Sequence, residues 1–371
     1  MVLLREGQVV RDTYKVDRLL GEGAFAEVYR VEHRYLGRQA MKVFRQVGMS
    51  AEQVRDALGE AMLLSGMGHP NVIRVFEANT VETAGGVYAY FTMEYVAGGT
   101  LHSFWSSYGT TFVPIPTVVD ILRQITRGLA VAHRESPPIV HRDITPQNIL
   151  VGYSGAGLQV RISDFGLARK VSALTLLASS QGTIAFMAPE TLLHPHLASV
   201  PGDVWALGAV LYLLLTDRLP YPQRSGGDPI TAAWNTGTLV PPSEIRYSVD
   251  EALDGIVARA LSYAPAKRYP SAVEMLADLE VWEPGRSVPL SPPEREPGPA
   301  GEIAAGKNAL GRSSPADEAA AVRMARQAVT VATGGQYDRA ADLMEEACNK
   351  WPGLRDQYAS RIRLWRKGVT M

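Results

Sequence analysis

The sequence holds one cysteine, Cys348, in 371 residues, which excludes an intrachain disulfide and suits a reducing, cytoplasmic setting. It has almost no net charge. The 37 lysines and arginines offset 38 acids to leave −1, so bulk electrostatics make no case for a nucleic-acid or membrane-surface partner. Long apolar runs are missing as well. A membrane span needs ~20 apolar residues, and the richest stretch, 204–215, is about half that and reads as a buried core helix. The apolar run in Met1-Val2-Leu3-Leu4-Arg5 is too short for a secretory signal. What remains is ordinary globular material, 46% hydrophobic and 20% charged, long enough for two lobes and an appendage.

Against that background, His141-Arg142-Asp143-Ile144-Thr145-Pro146-Gln147-Asn148 carries the most information. Asp143 lies five residues before Asn148, and Asp164-Phe165-Gly166 begins sixteen residues beyond it. Two oxygen ligands for magnesium and one carboxylate for a hydroxyl proton are what phosphoryl transfer requires, because its transition state asks for positioning and charge neutralisation.

Other motifs follow in a fixed order. Gly21-Glu22-Gly23-Ala24-Phe25-Ala26-Glu27-Val28 is a glycine-rich turn that lets backbone approach phosphate oxygens. Ala40-Met41-Lys42-Val43 is a strand bearing a lysine, and Glu60 sits in a helical pattern over 51–65. Gly182-Thr183-Ile184-Ala185-Phe186-Met187-Ala188-Pro189-Glu190, Asp203-Val204-Trp205 and Arg268 complete the set. Taken singly these are weak. Lys42 and Glu60 alone read as solvated charges, and Asp-Phe-Gly as a turn. Gly-x-Gly-x-x-Ala also suits a dinucleotide site, but residues 26–32 alternate with period two and predict a strand where that site needs a helix.

Their joint order resembles the bacterial eukaryotic-like (Hanks-type) Ser/Thr protein kinases from about residue 14 to 282. The resemblance implies an α+β, bilobal kinase fold with a strand-rich N-lobe and a helical C-lobe over 10–283. It implies ATP and Mg2+ as cofactors and proteins as substrates. Lys42 would hold the phosphates and be oriented by Glu60, Asp143 would accept the hydroxyl proton, and Asn148 and Asp164 would hold magnesium. The nucleotide would lie among Gly21, Glu22, Gly23, Ala24, Phe25, Val28, Ala40, Met93, Glu94, Val96 and Leu150, with Phe91-Thr92-Met93-Glu94-Tyr95-Val96 as the hinge. Thr175, Ser179, Ser180 and Thr183 fall in the activation segment, and autophosphorylation is expected at one or more of the first three.

Two positions depart from the family pattern. Thr145 stands where such kinases usually carry a lysine near the transferred phosphate, so it brings a hydrogen bond without a charge. Ala26 replaces the third glycine. The alternative function is a pseudokinase or weakly active scaffold, which the presence of Lys42, Glu60, Asp143, Asn148 and Asp164 argues against. Many bacterial relatives carry a membrane anchor after the kinase domain, and no such span is found here.

Beyond the kinase pattern, 284–315 is rich in Pro, Gly and Ser and reads as a flexible linker. Residues 316–371 are helical and resemble a tetratricopeptide hairpin around Gly334-Gly335-Gln336-Tyr337. The linker predicts a separate module there, available to a protein partner or to self-association.

Overall fold

The alternating residues between positions 9 and 94 become one antiparallel sheet in a computed structural model of the chain. The structure describes residues 2–23, 26–45, 59, 66–154, 157–165, 184–194, 198–221, 239–284, 315–351 and 353–366. The strands are β1 (Val9–Val10), β2 (Tyr14–Glu22), β3 (Ala26–His33), β4 (Gly37–Phe44), β5 (Val75–Thr83) and β6 (Gly86–Glu94). Their order is β1-β2-β3-β4-β6-β5. Because side chains alternate across a strand, the register sorts them into two faces. Tyr29, Val31, Met41 and Val43 bury one face against Leu4, Val16 and Tyr90. The other face aligns Val28 with Lys42 and Phe91, and Ala40 with Arg30 and Met93. Val28, Ala40, Lys42 and Met93 therefore share one face, whereas Glu94, opposite Gln39, falls on the other.

The remainder of the main body is helical apart from the hairpin of β7 (Ile149–Ser154) and β8 (Gly157–Ile162). Helix α1 (Leu101–Ser106) follows the hinge, and α2 (Ile115–Arg134) presents an apolar stripe to the core. After α3 (Pro189–Leu193), α4 (Val200–Thr216) is buried on every side from Asp203 onward. Ser199 caps its first turn by accepting from the Gly202 N–H, and Asp217 ends it in a left-handed conformation. Gly208 lets α4 lie close to the next helix pair, since a Cβ there would stand 2.8 Å from the Ala260 methyl. Helices α5 (Pro242–Ile245), α6 (Glu251–Ala260) and α7 (Ala272–Val281) complete this part. Arg123 of α2 donates to the carbonyls of Leu279 at 2.9 Å and Trp282 at 2.6 Å, which satisfies the open end of α7. No helix among the described residues is long and apolar enough to cross a membrane.

Three further helices follow: α8 (Pro315–Thr333), α9 (Tyr337–Lys350) and α10 (Gly353–Trp365). Apart from its end residues Pro284 and Pro315, the expected linker lies outside the described residues. The expectation was a separate module, and the described residues show these helices both forming a unit and touching the main body. The three helices build their own small core from Ala325, Ala328, Ala340, Met344, Ile362 and Trp365, and Tyr153 of β7 packs against it. Carboxylates of α9 then reach the sheet: Glu346 meets Arg18 and Arg30, and Asp342 meets Arg38. The sequence pattern missed this because its partners stand about 300 residues apart, beyond the reach of any local periodicity.

Inside that small core Glu345 is 1% exposed and faces Arg366, whose guanidinium also holds Asp342 at 2.6 Å. Burial pushes the Glu345 carboxyl up to about 7, against the pull of Arg366, and neighbouring Glu346 adds to the rise. A carboxyl whose folded value lies above its unfolded value takes up a proton on folding. Its contribution to stability therefore declines as pH rises from the ordinary carboxylate range through about 7. Glu345→Gln is expected to flatten that decline. Calorimetric melting at pH 5 and pH 8 should show wild type losing on the order of 1–3 kcal/mol more than the variant across the interval. Parallel losses in the two proteins would refute this account.

Candidate active site

The site is assembled around one buried carboxylate. Asp203, in the first turn of α4, is 2% exposed. Its Oδ2 accepts the His141 backbone N–H at 2.7 Å and its Oδ1 accepts that of Arg142 at 2.8 Å. His133 of α2 supplies the third donor. Its Nδ1 accepts from the Ala272 N–H at 3.1 Å, so the proton resides on Nε2, which donates to Asp203 at 3.1 Å. His141 is ordered in the same way: Nδ1 accepts from the Asp143 N–H and Nε2 donates to the Ser163 carbonyl. Its ring lies 4.4 Å from that of Phe165. The backbone held between these anchors adopts φ +73 at Arg142 and φ +61 at Asp164, values that L residues seldom take.

This arrangement brings Asp143 and Asn148 together. The Asn148 amide donates to the Asp143 carbonyl at 2.9 Å and to its Oδ2 at 2.7 Å. The other oxygen, Oδ1, is buried and has no hydrogen-bond partner among the described residues. Burial raises the Asp143 carboxyl above its ordinary range. His141, the Asn148 amide and Lys42 oppose the rise, and Asp164 adds to it. Asn148 is fixed in turn through its carbonyl, which accepts from the Ser163 N–H at 2.9 Å and hydroxyl at 3.0 Å.

Lys42 arrives from the sheet and its Nζ meets Asp164 Oδ1 at 2.6 Å, an ion pair that crosses between the lobes. Gly21 and Gly23 stand where β2 turns toward β3, and the Gly23 N–H donates to the Ala26 carbonyl at 2.8 Å. Exposed Glu22 pairs with Arg45. Ala40 and Met93 are buried at neighbouring register positions, while Val28, Val96 and Leu150 are half-buried around the same cleft. Glu94 is held by Arg161 at 2.8 Å. Beyond the hinge Gly98 presses on β7, where a Cβ would fall 2.1 Å from the Val151 carbonyl oxygen, so no larger residue fits. Thr145 is 3% exposed and borders a recess shared by Asp143, Phe186, Met187 and Thr191. Arg268 grips Glu190 through two bonds of 2.7 and 2.8 Å. Ala24, Phe25, Glu60, Thr175, Ser179, Ser180 and Thr183 lie outside the described residues.

Sequence reasoning overlooked His133, Ser163 and Tyr95. A histidine in the last turn of an apolar helix reads as a favourable cation at a helix C-terminus, and nothing local announces a bond to Asp203. The residues present fit a nucleotide with magnesium. Asn148 and Asp164 offer the hard oxygen ligands that magnesium takes alongside phosphates. Lys42 offers a cation on the same face as Ala40 and Val28, and Asp143 keeps one oxygen free.

The family model for the protein kinase domain matches residues 14–279. The Ser/Thr protein kinase PrkC of Bacillus subtilis is 31% identical over 280 residues, which is 74% of this chain and 41% of that protein. The Ser/Thr protein kinase PknB of Mycobacterium leprae is also 31% identical over 280 residues, 72% of this chain and 42% of that one. The chain thus matches well under half the length of these relatives. A crystal structure of a Mycobacterium tuberculosis PknI kinase domain mutant superposes with a TM-score of 0.56 at 25% identity, covering 75% of this chain and 98% of that domain.

Asp203→Asn tests the anchor. An amide at this position presents N–H groups to donors that need acceptors, which costs roughly 1–3 kcal/mol for each buried group left unmatched. The variant should melt several degrees lower than wild type. Melting within a degree of wild type would show that Asp203 does not organise this loop.

Proposed function

The chain belongs to the protein kinase family, and from that premise we propose that it transfers the γ-phosphoryl group of ATP to serine or threonine hydroxyls of proteins. The observation that carries the reading is the convergence of Lys42, Asp143, Asn148 and Asp164 on one cleft, with Lys42 and Asp164 joined at 2.6 Å from opposite lobes. Magnesium-bound ATP, when held there, supplies the electrophilic phosphoryl group. In this reading Lys42 donates to phosphate oxygens, and Asn148 and Asp164 offer oxygens to the metal. Asp143 takes the hydroxyl proton at Oδ1, the oxygen that Asn148 leaves free. Its raised affinity for protons suits a general base, since a carboxylate nearer the working pH is a better acceptor.

Thr145 offers a hydroxyl at the substrate side of the cleft where a lysine would bring charge, and magnesium and Lys42 are left to carry the local charge. The relatives' names support serine and threonine as acceptors. They lend no support to a scaffold without turnover. ATP as donor and a lone buried thiol at Cys348 suit a cytoplasmic domain.

Two substitutions separate the roles. Asp143→Asn is expected to lower turnover by about 10²–10⁴ while affinity for a nonhydrolysable ATP analogue stays near wild type, because the base acts on the other substrate. Asp164→Asn should instead weaken magnesium-dependent binding of that analogue. The reverse pattern would overturn the assignment.

A second expectation concerns activation. The Arg142 Nε is buried without a hydrogen-bond partner among the described residues, directly beside Asp143. A phosphate on the activation segment would pair with that guanidinium. Autophosphorylation at one or more of Thr175, Ser179 and Ser180 is therefore expected, and mass spectrometry of active protein with all three unmodified would rule it out.

A further inference from the structure

The helix α9 lies across the join between the lobes. Its Asp342 and Glu346, one helical turn apart, project from the same side. Glu346 Oε1 pairs with Arg30 of β3 at 3.1 Å, with Arg18 of β2, and accepts the Tyr95 hydroxyl at 2.6 Å. Asp342 pairs with Arg38 of β4. These contacts fall where they bear on the cleft. Arg30 is two residues from Val28, and Arg38 is two and four residues from Ala40 and Lys42, so they share the sheet face that carries the candidate nucleotide residues. Tyr95 lies in the hinge between Glu94 and Val96. Burial pushes its hydroxyl up to about 12, and Glu346 adds to the rise, so it remains a donor at every physiological pH. The Arg30 guanidinium lies 5.6 Å from the Tyr95 ring centroid, which joins sheet and hinge in one cluster.

The same helical unit also meets the helical lobe. A Cβ at Gly99 would come within 3.5 Å of the Asn349 amide, and Tyr153 of β7 packs on the unit's core. One helical unit therefore touches β2, β3, β4, the hinge and β7. Surface ion pairs contribute little when two long side chains must be ordered for one contact. Here Glu346 is 11% and Arg30 15% exposed at their side chains, and the tyrosine hydroxyl is a third partner, so the cluster is half-sheltered and geometrically defined.

We propose that Glu346 is a positioning residue for nucleotide binding, holding the hinge and the cleft face of the sheet at the lobe angle that ATP requires. The proposal rests on the kinase reading above and adds to it a role for the C-terminal helices that the catalytic motifs do not contain. If the brace raises the fraction of molecules with competent lobes, its loss lowers apparent affinity by that fraction, because the observed Kd is the intrinsic Kd divided by the competent population. Turnover at saturating ATP is spared, since bound nucleotide restores the angle.

The test uses the full chain and three variants: Glu346→Ala, Glu346→Gln and Tyr95→Phe. Affinity for a nonhydrolysable ATP analogue with magnesium, KM for ATP, kcat and Tm are measured for each. Glu346→Ala is expected to raise Kd and KM about tenfold with kcat within about twofold of wild type, the signature of a lowered competent population. Glu346→Gln, which still accepts from Tyr95, should recover part of the affinity, and Tyr95→Phe should lose part of it. A purely structural role would lower Tm and the amount of active protein while leaving Kd unchanged. That result, or unchanged Kd in all three folded variants, overturns the proposal. Should Glu346→Ala not fold, the other two substitutions decide by the same criteria. Wild-type protein that binds no ATP analogue would instead remove the kinase reading, and the proposal with it.

Discussion

A carboxylate withdrawn from water must be matched by donors or it opposes folding by several kcal/mol, and Asp203 places this demand at the centre of the protein. The demand is met by the backbone N–H groups of His141 and Arg142 and by the His133 ring. Satisfying both oxygens leaves the loop little freedom. Arg142 is driven into positive φ, and Asp143 follows immediately with one oxygen bonded to Asn148 and the other unpartnered among the described residues. Such backbone strain persists only where the surroundings over-determine it, and α2, α4 and the His133–Ala272 bond supply that surrounding. The proposed base is thus placed by a residue about sixty positions further along the chain, on a helix buried from that residue onward.

The second constraint is register. Lys42 faces the cleft because it is opposite Val28 and Phe91, and a slip by one residue would send it into the core with Met41 and Val43. The core face, built from Tyr29, Val31, Met41 and Tyr90, makes that slip costly. The large lobe meets the lysine through Asp164, which is held where β8 ends and the His141–Ser163 bond fixes the chain. Two independent cores thereby aim a cation and a carboxylate at one point.

Much of this was legible in the sequence. The motif order singled out Lys42, Asp143, Asn148 and Asp164, and the structure sets Lys42 against Asp164 and Asn148 against Asp143. Each motif carries its own local turn or strand chemistry, and phosphoryl transfer needs few groups. The alternation over β3 separated a strand from a dinucleotide-type helix. Arg268 and Glu190 also pair as the family resemblance implied. Glu60, the partner expected for Lys42, lies outside the described residues, and the carboxylate that Lys42 meets among them is Asp164. What stayed hidden shares one physical character: contacts between charges far apart in sequence. Asp342 and Glu346 look like the polar face of an amphipathic helix, and Arg18, Arg30 and Arg38 like the solvent side of strands. Each pattern is accurate locally, and only their meeting turns two polar faces into an interface.

The chemistry of that meeting also explains how a tail can be a unit of its own and still be docked. Inside the three helices Ala325, Ala328, Ala340 and Ala341 allow close approach and Trp365 is buried among them. The described join to the sheet and hinge includes ion pairs and a tyrosine hydroxyl, and Tyr153 of the β7–β8 hairpin adds an apolar contact. A hydrophobic join would fuse the tail with the main core and leave no separable position. A charged join fixes direction and distance, because guanidinium and carboxylate groups pair with defined geometry, while its net contribution to stability stays small. The tail is therefore better suited to setting the position of the strands and the hinge than to holding the fold together, and the hinge tyrosine is where that position is passed to the cleft.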